Sequence, residues 1–166
     1  MPLIIRDALA TDFNKIALLS VAAYCEYAQS LRLEDWDKMK TSLSNVSKVA
    51  SQAKLVVAEQ ARQLVGSVVY YRPGTSTSRL FQPEWASLRM LAVLPEYRGQ
   101  GIGRQLTKAC IERAKSDRAE IIGLHTSELM VSAKRMYEKL GFQQDIELPR
   151  NLGLRYWRYV LKLEEM

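Results

Sequence analysis

Three closely spaced glycines, Gly99, Gly101 and Gly103, form the part of the sequence best suited to bind an anion. Because glycine has no Cβ, the backbone around such residues can bring several N–H groups toward one ligand. A helix is predicted directly after them, and the first N–H groups of a helix are unpaired and lie at the positive end of its dipole. Arg98 and Arg104 flank the glycines and can add charge-assisted contacts. The pattern predicts a phosphate or pyrophosphate site.

Two common phosphate-binding motifs do not fit this segment. The sequence contains no G-x-x-x-x-G-K-[ST] string of the P-loop type. If a G-x-G-x-x-G motif is begun at Gly99, its third glycine falls on Arg104. The alternative interpretation is a glycine-rich turn without a ligand, which the flanking arginines and the helix start make less favoured.

Tyr137 carries a phenol, a group that can donate a proton. Ala133 and Tyr137 are four residues apart, so both lie on one face of a predicted helix. An unperturbed phenol has a pKa of about 10 and is protonated at neutral pH. Leu129, Met136 and Leu140 share the apolar stripe of that helix, so the spacing by itself favours Tyr137 as a core aromatic residue over a proton donor.

Periodicity and turn residues place these groups in a mixed α/β chain that we interpret as one domain over residues 1–166. The predicted element order is β-α-α-β-β-β-α-β-α-β-β. A long amphipathic stretch with Trp36 and Met39 on its apolar face forms the second helix. The strand–helix–strand unit across residues 86–124 should be a right-handed parallel crossover. Ser127 is the predicted N-cap of the helix that carries Tyr137.

Composition excludes several classes of protein. The 166 residues are 48% hydrophobic and 25% charged, which is typical of a globular domain and not of a disordered chain. No apolar run approaches the ~20 residues of a membrane span, and no signal peptide is evident. Two cysteines and one histidine make a metal cluster improbable. We expect Cys25 and Cys110 to be reduced core residues of a cytoplasmic protein.

The positive charge is concentrated near the glycines. The net charge is +6, and residues 98–118 hold six basic and two acidic residues. The remaining chain is nearly balanced, so the charge suits one anionic ligand better than a nucleic-acid surface. A nucleic-acid-binding protein is kept as a weaker alternative.

Two stretches resemble the GNAT N-acetyltransferase superfamily. Leu91-Ala92-Val93, Pro95 and the run from Arg98 to Gly103 look like its acyl-CoA-binding motif, Q/R-x-x-G-x-G/A. The later pattern Ala133-x-x-x-Tyr137-x-x-x-Gly141-Phe142 is similar to a family helix and the strand after it. The resemblance implies a mostly antiparallel sheet with one parallel crossover, flanked by four helices.

The resemblance also implies roles for individual residues. The loop would hold the pyrophosphate of coenzyme A, the strand before it would pair with the pantetheine arm, and Tyr137 would be the general acid near the sulfur. The implied cofactor-binding residues are Leu91, Ala92, Val93, Arg98, Gly99, Gln100, Gly101, Ile102, Gly103, Arg104, Met130, Ala133 and Tyr137.

The sequence departs from the family pattern at two positions. Many members carry a glutamate base on the strand, where this chain has Ser87. Glu84 is the nearest carboxylate, and we expect Glu84 or Ser87 to line a water that accepts the proton; a solvated loop charge is the alternative for Glu84. Met130 replaces an asparagine that contacts pantetheine in many relatives, and it can pack against the arm instead.

The expected activity is transfer of an acetyl group from acetyl-CoA to a primary amine of a small molecule or protein, by direct attack and without a metal. A non-catalytic acyl-CoA sensor is the alternative. We expect no nucleic-acid or membrane partner, and either a monomer or a homodimer. Tyr24, Tyr27 and Trp36 could line an acceptor pocket, although core packing also explains their spacing, and no catalytic role is assigned to His125.

Overall fold

The structure is a computed structural model that describes residues 2–75 and 79–163. Seven strands form one sheet in the order β1-β2-β3-β4-β5-β7-β6. Their bounds are β1 Ile4–Asp7, β2 Lys54–Gln60, β3 Gln63–Tyr71, β4 Ala86–Val93, β5 Ile121–Ser127, β6 Gln143–Asn151 and β7 Leu154–Lys162.

The helices lie between these strands. The described residues contain α1 Phe13–Tyr24, α2 Leu33–Ser44, α3 Val46–Ala50, α4 Ile102–Ser116 and α5 Val131–Lys139, with short 3-10 segments at Ala10–Asp12, Cys25–Ser30 and Pro95–Tyr97. None of the helices in this part of the chain is both long and apolar enough to cross a membrane.

One strand pair among the described residues is parallel, and it confirms the parallel connection that the sequence predicts. β4 and β5 pair at Ala86 with Ile122 and at Ser87 with Gly123, and the ladder ends there. Both strands continue, to Val93 and to Ser127, without further pairing to each other. They therefore diverge toward their carboxyl ends and leave a gap in the sheet.

Two packed layers hold the sheet. On one face, Leu106 and Cys110 of α4 are completely buried against strand residues such as Val68 and Leu124. On the other face, Ile16 and Leu19 of α1 pack with Val57 and Val69. Burial of these apolar side chains stabilises the fold, since each contributes roughly 1.5–3 kcal/mol when fully removed from water.

Three sequence expectations about the helices are wrong. The second predicted helix is two helices, because Asn45 leaves the helical region at φ −85° and ψ 53°, so five α-helices replace the expected four. Ser127 stays in β5 and Met130 is the residue before α5, so Ser127 does not cap that helix. Cys25 is exposed because α1 ends at Tyr24 and the chain tightens into a 3-10 turn, whereas Cys110 is buried as expected.

Candidate active site

The glycine loop has the backbone that only glycine adopts without strain. Gly99 and Gly101 have φ of 79° and 80°, in the left-handed region. A Cβ at either position would meet no atom within 4 Å, so the requirement for glycine is conformational and not steric. Gly101 precedes α4, and among the described residues no side chain caps that helix, so its first N–H groups have no side-chain partner there. The loop and the helix start thus have the local geometry that the sequence predicts, and the binding of an anion there stays a prediction.

A cavity of about 750 Å³ lies beside this loop, between β4 and α5. We call it the loop cavity. Gln100 is exposed and does not line it. The other residues expected to bind the cofactor all line it: Leu91, Ala92, Val93, Arg98, Gly99, Gly101, Ile102, Gly103, Arg104, Met130, Ala133 and Tyr137.

Arg98 is held by protein groups at the rim of the loop cavity. Its Nη1 donates to Oε1 of Glu26 at 2.7 Å, and its Nη2 donates to the carbonyl oxygen of Ala23 at 2.7 Å. Sequence reasoning missed Glu26, which reaches this place from the 3-10 segment after α1. An anion at the glycine loop would compete with the Glu26 carboxylate for the guanidinium.

Tyr137 lies buried on α5 and lines the loop cavity. Its ring packs edge-on against Phe142, with centroids 5.7 Å apart. Burial raises the pKa of Tyr137 above its ordinary value, and the nearby phenol of Tyr24 adds to the shift. The hydroxyl therefore stays protonated at every physiological pH and can act as a proton donor.

β4 is bulged where it passes the cavity. Met90 has a φ of 57°, and the pairing with β3 shifts register between Ser67 and Val69. Such a bulge bends the strand and changes the direction of the residues that follow it. The carbonyl oxygen of Leu91 accepts a 2.7 Å hydrogen bond from the hydroxyl of Tyr24.

A second cavity of about 670 Å³ adjoins the first and shares Tyr24 and Met130 with it. We call it the second cavity. It is lined by Tyr24, Asp37, Lys38, Met39, Thr41, Ser42, Leu43, Arg89, Met90, His125, Met130, Asn151, Leu152 and Tyr156. Tyr24 thus belongs to the site, as does Tyr27 in the loop cavity, whereas Trp36 lines neither cavity.

His125 lies on β5 between two aromatic rings. Its ring stacks on Phe81 with centroids 6.3 Å apart and tilts against Tyr156 at 5.6 Å. Neither ring nitrogen has a hydrogen-bond partner among the described residues. Burial, and to a smaller extent the positive charge of Arg89, together lower the pKa of His125 to about 4. The imidazole is therefore neutral at pH 7.

The two residues expected to serve the general base line neither cavity. Glu84 is exposed in the loop before β4 and lines neither cavity. Ser87 is completely buried at the parallel pair with Gly123, and its Oγ has no hydrogen-bond partner in the described part of the chain. Their role with a proton-accepting water stays a prediction.

Solved structures share this architecture over nearly their whole length. An acetyltransferase of the GNAT family from Staphylococcus aureus Mu50 superposes with a TM-score of 0.75 at 19% identity, over 98% of this chain and 100% of that chain. The yncA structure from Salmonella typhimurium, which contains its cofactor acetyl-CoA, gives a TM-score of 0.70 at 18% identity, over 100% of this chain and 96% of that chain. At these identities the likeness shows the fold.

The sequence comparisons are more local. N-alpha-acetyltransferase 30 of Schizosaccharomyces pombe is 40% identical over 76 residues, which cover 45% of this chain and 51% of that protein. The chain thus spans about half the length of this curated relative. The model of the acetyltransferase (GNAT) family matches residues 13–142. With the match extending over most of the sequence, from α1 through the glycine loop to the end of α5, the chain belongs to the GNAT acetyltransferase family.

Proposed function

We propose that the protein transfers an acetyl group from acetyl-CoA to an amine by direct attack within one ternary complex. The observation that carries the proposal is the junction of the two cavities at Tyr24 and Met130. A donor in the loop cavity and an amine in the second cavity would meet there. The direct route needs no protein nucleophile, and Cys110 is buried in the core, outside both cavities.

The residues of the loop cavity fit coenzyme A. The N–H groups at the start of α4 and the left-handed Gly99 and Gly101 form a cradle for a pyrophosphate. Arg104 is exposed on the first turn of that helix and adds a positive charge. Met130 lines the route to the junction and can pack against an alkyl chain.

When bound, acetyl-CoA supplies the thioester that the amine attacks. The N–C bond would form and the C–S bond would break, and the buried phenol of Tyr137, which lines the loop cavity, is our candidate for protonating the departing sulfur. Backbone N–H groups near Val93, at the unpaired edge of β4, are our candidates for stabilising the charge on the carbonyl oxygen. The amine must be neutral to attack, and its proton leaves to water in the second cavity.

The test is acetyl-CoA-dependent release of free thiol across a panel of amines, including amino acids, polyamines and peptides with free N-termini. We expect Tyr137→Phe to lower kcat about 10²-fold, the lower end for a general acid, with acetyl-CoA affinity unchanged by calorimetry. Tyr71→Phe is the matched control, since Tyr71 is buried and lines neither cavity.

Two outcomes would redirect the proposal. Unchanged turnover in Tyr137→Phe would remove this residue as the acid. Tight acetyl-CoA binding without thiol release for any amine would instead support the alternative of a non-catalytic acyl-CoA sensor.

A further inference from the structure

Arg89 presents an unpaired positive charge to the second cavity. The residue is partly buried on β4, its Nε is shielded from solvent, and that atom has no hydrogen-bond partner among the described residues. Within the same part of the chain, no carboxylate lies within 4.0 Å of its guanidinium. A partly desolvated guanidinium without a partner is unfavourable, and an anionic ligand would relieve that cost.

The neighbouring charges do not neutralise Arg89. Asp37 and Lys38 line the same cavity but are exposed on α2, and Asp37 pairs with Lys40 at 3.3 Å. Arg158, which lies on β7 opposite His125, is paired with Asp145 at 2.5 Å. Within residues 2–75 and 79–163, Arg89 and Lys38 are therefore the cations that line this cavity without an ion pair, and Arg89 is the one that is partly buried.

The fold directs Arg89 and His125 into the same space. Arg89 pairs with Val69 immediately before the bulge at Met90, and His125 lies on β5 beyond the last pair between β4 and β5. Both residues line the second cavity, and the charge of Arg89 acts on the imidazole. Both imidazole nitrogens are unpartnered, so the neutral ring can offer one N–H donor beside the guanidinium.

We propose that the second cavity binds a small amine that also carries a carboxylate, such as an amino acid, with the carboxylate paired to Arg89. This inference rests on the proposed function, and it names the acceptor class of that site. The planar guanidinium pairs with carboxylates through two parallel hydrogen bonds, which orients the ligand as well as binding it. The amine would then point toward the junction at Tyr24 and Met130.

The remaining lining favours an acceptor with an apolar side chain. Met39, Leu43, Met90 and Tyr156 supply apolar surface around the charged position. A volume of about 670 Å³ is that of a site for a small molecule.

Matched acceptors test the proposal. Methionine and phenylalanine are compared with methioninamide and phenylalaninamide, which keep the amine and side chain but lose the carboxylate. The amine of each amide is less basic than that of the free amino acid, so a larger fraction of it is neutral and ready to attack. A preference for the acids must therefore come from binding of the carboxylate. We expect kcat/KM to favour the acids by about 10-fold or more, the size of a charge-assisted pair.

Variants locate that preference. Arg89→Gln should raise KM for the acids about 10-fold, leave the amides unchanged and thereby remove the preference, whereas Arg89→Lys should keep part of it. Lys38→Gln is the matched control, because it removes an exposed positive charge from the same cavity and should keep the preference. Equal use of acids and amides by the parent protein would overturn the proposal, and so would an unchanged preference in Arg89→Gln.

A second readout needs neither acetyl-CoA nor turnover. His125 is the one histidine of the sequence, so its ring resonances in an NMR spectrum identify themselves. Adding methionine should shift them, methioninamide should not, and Arg89→Lys should reduce the shift without removing the positive charge. If no amine is acetylated but methionine still shifts His125, the proposed function fails and the carboxylate site stands. If neither methionine nor methioninamide shifts the His125 resonances, and neither is acetylated in preference to the other, the carboxylate site is wrong.

Discussion

The hydroxyl of Tyr24 donates a 2.7 Å hydrogen bond to the carbonyl oxygen of Leu91. Tyr24 is the last residue of α1, and Leu91 follows the bulged residue Met90 in β4. The bond therefore connects the helix that covers one face of the sheet to the strand edge that borders the gap. Because Tyr24 lines both cavities, this link lies where the donor and acceptor are proposed to meet.

Tyr24→Phe should impair turnover more than it impairs folding. Loss of one hydrogen bond costs about 1 kcal/mol of unfolding free energy. Freed from the hydroxyl, the backbone at Leu91 can shift, and a displacement near 1 Å at a reacting centre can lower kcat by up to about 10²-fold. Steady-state kinetics and urea denaturation measure the two effects. Tyr27→Phe is the control, since its ring packs on Tyr24 and, in the described part of the chain, no hydrogen bond joins it to β4; equal kcat losses in both variants would contradict the role of the bond.

Glu26 and the cofactor should compete for Arg98. Glu26→Gln releases the Arg98 guanidinium from its 2.7 Å ion pair. We therefore expect acetyl-CoA to bind about 3-fold more tightly, as measured by calorimetry. Arg98→Gln should weaken binding about 10-fold, and added salt should reduce the difference from the parent protein.

The matched control for the Glu26 variant is Glu34→Gln. Glu34 is an exposed acid on α2 that pairs with Arg32, and it lines neither cavity. A gain in affinity in Glu34→Gln equal to that in Glu26→Gln would mean that general charge, and not release of Arg98, controls binding.

Gly66 and Gly103 should respond oppositely to alanine. A Cβ on Gly66 would lie 2.9 Å from Leu106 Cδ1 and 3.1 Å from both the carbonyl oxygen of Ala92 and Ile102 Cγ2. Gly66→Ala should therefore separate α4 from the sheet and lower the unfolding free energy by about 1–3 kcal/mol. Gly103→Ala makes only ordinary contacts, 3.7 Å or longer, and should keep or raise stability by up to about 1 kcal/mol, since alanine favours the helix.

Denaturant titrations of the two glycine variants give this comparison directly. If Gly103→Ala were the more destabilised variant, the account of close packing between α4 and β3 would be wrong.

His125 should make the fold less stable in mild acid. Burial and the charge of Arg89 lower its pKa to about 4, against about 6.5 in an unfolded chain. Between these values the unfolded chain takes up a proton that the folded protein does not, so this contribution to stability is lost as the pH falls. Between pH 7 and pH 5 the loss is about 2 kcal/mol.

His125→Phe keeps a ring between Phe81 and Tyr156 and removes the titrating group. Urea denaturation of the parent and the variant at pH 7 and pH 5 measures the difference. A variant that loses as much stability as the parent over this interval would show that another group is responsible.

The conformation of the glycine loop could be predicted from the sequence because its parts are contiguous. Gly99, Gly101 and the start of α4 lie within a few residues, and the left-handed turns and free N–H groups follow from local backbone chemistry. The helix spacing that places Tyr137 near Ala133 is equally local. Helix boundaries depend on more than the apolar pattern, since the break at Asn45 shows that one backbone angle can divide a continuous amphipathic stretch.

Residue types and spacing in the sequence determined most of the element order, the parallel crossover and the left-handed glycine loop before α4, since each depends on short-range periodicity and turn chemistry. Only the tertiary structure brought Glu26 to Arg98 and Tyr24 to Leu91, contacts that join segments more than 60 residues apart. It also decided that Ser87 is sealed in the sheet while Arg89 faces a cavity. That distinction depends on the place where β4 and β5 stop pairing, which is a property of the packed sheet and leaves no local pattern in the chain.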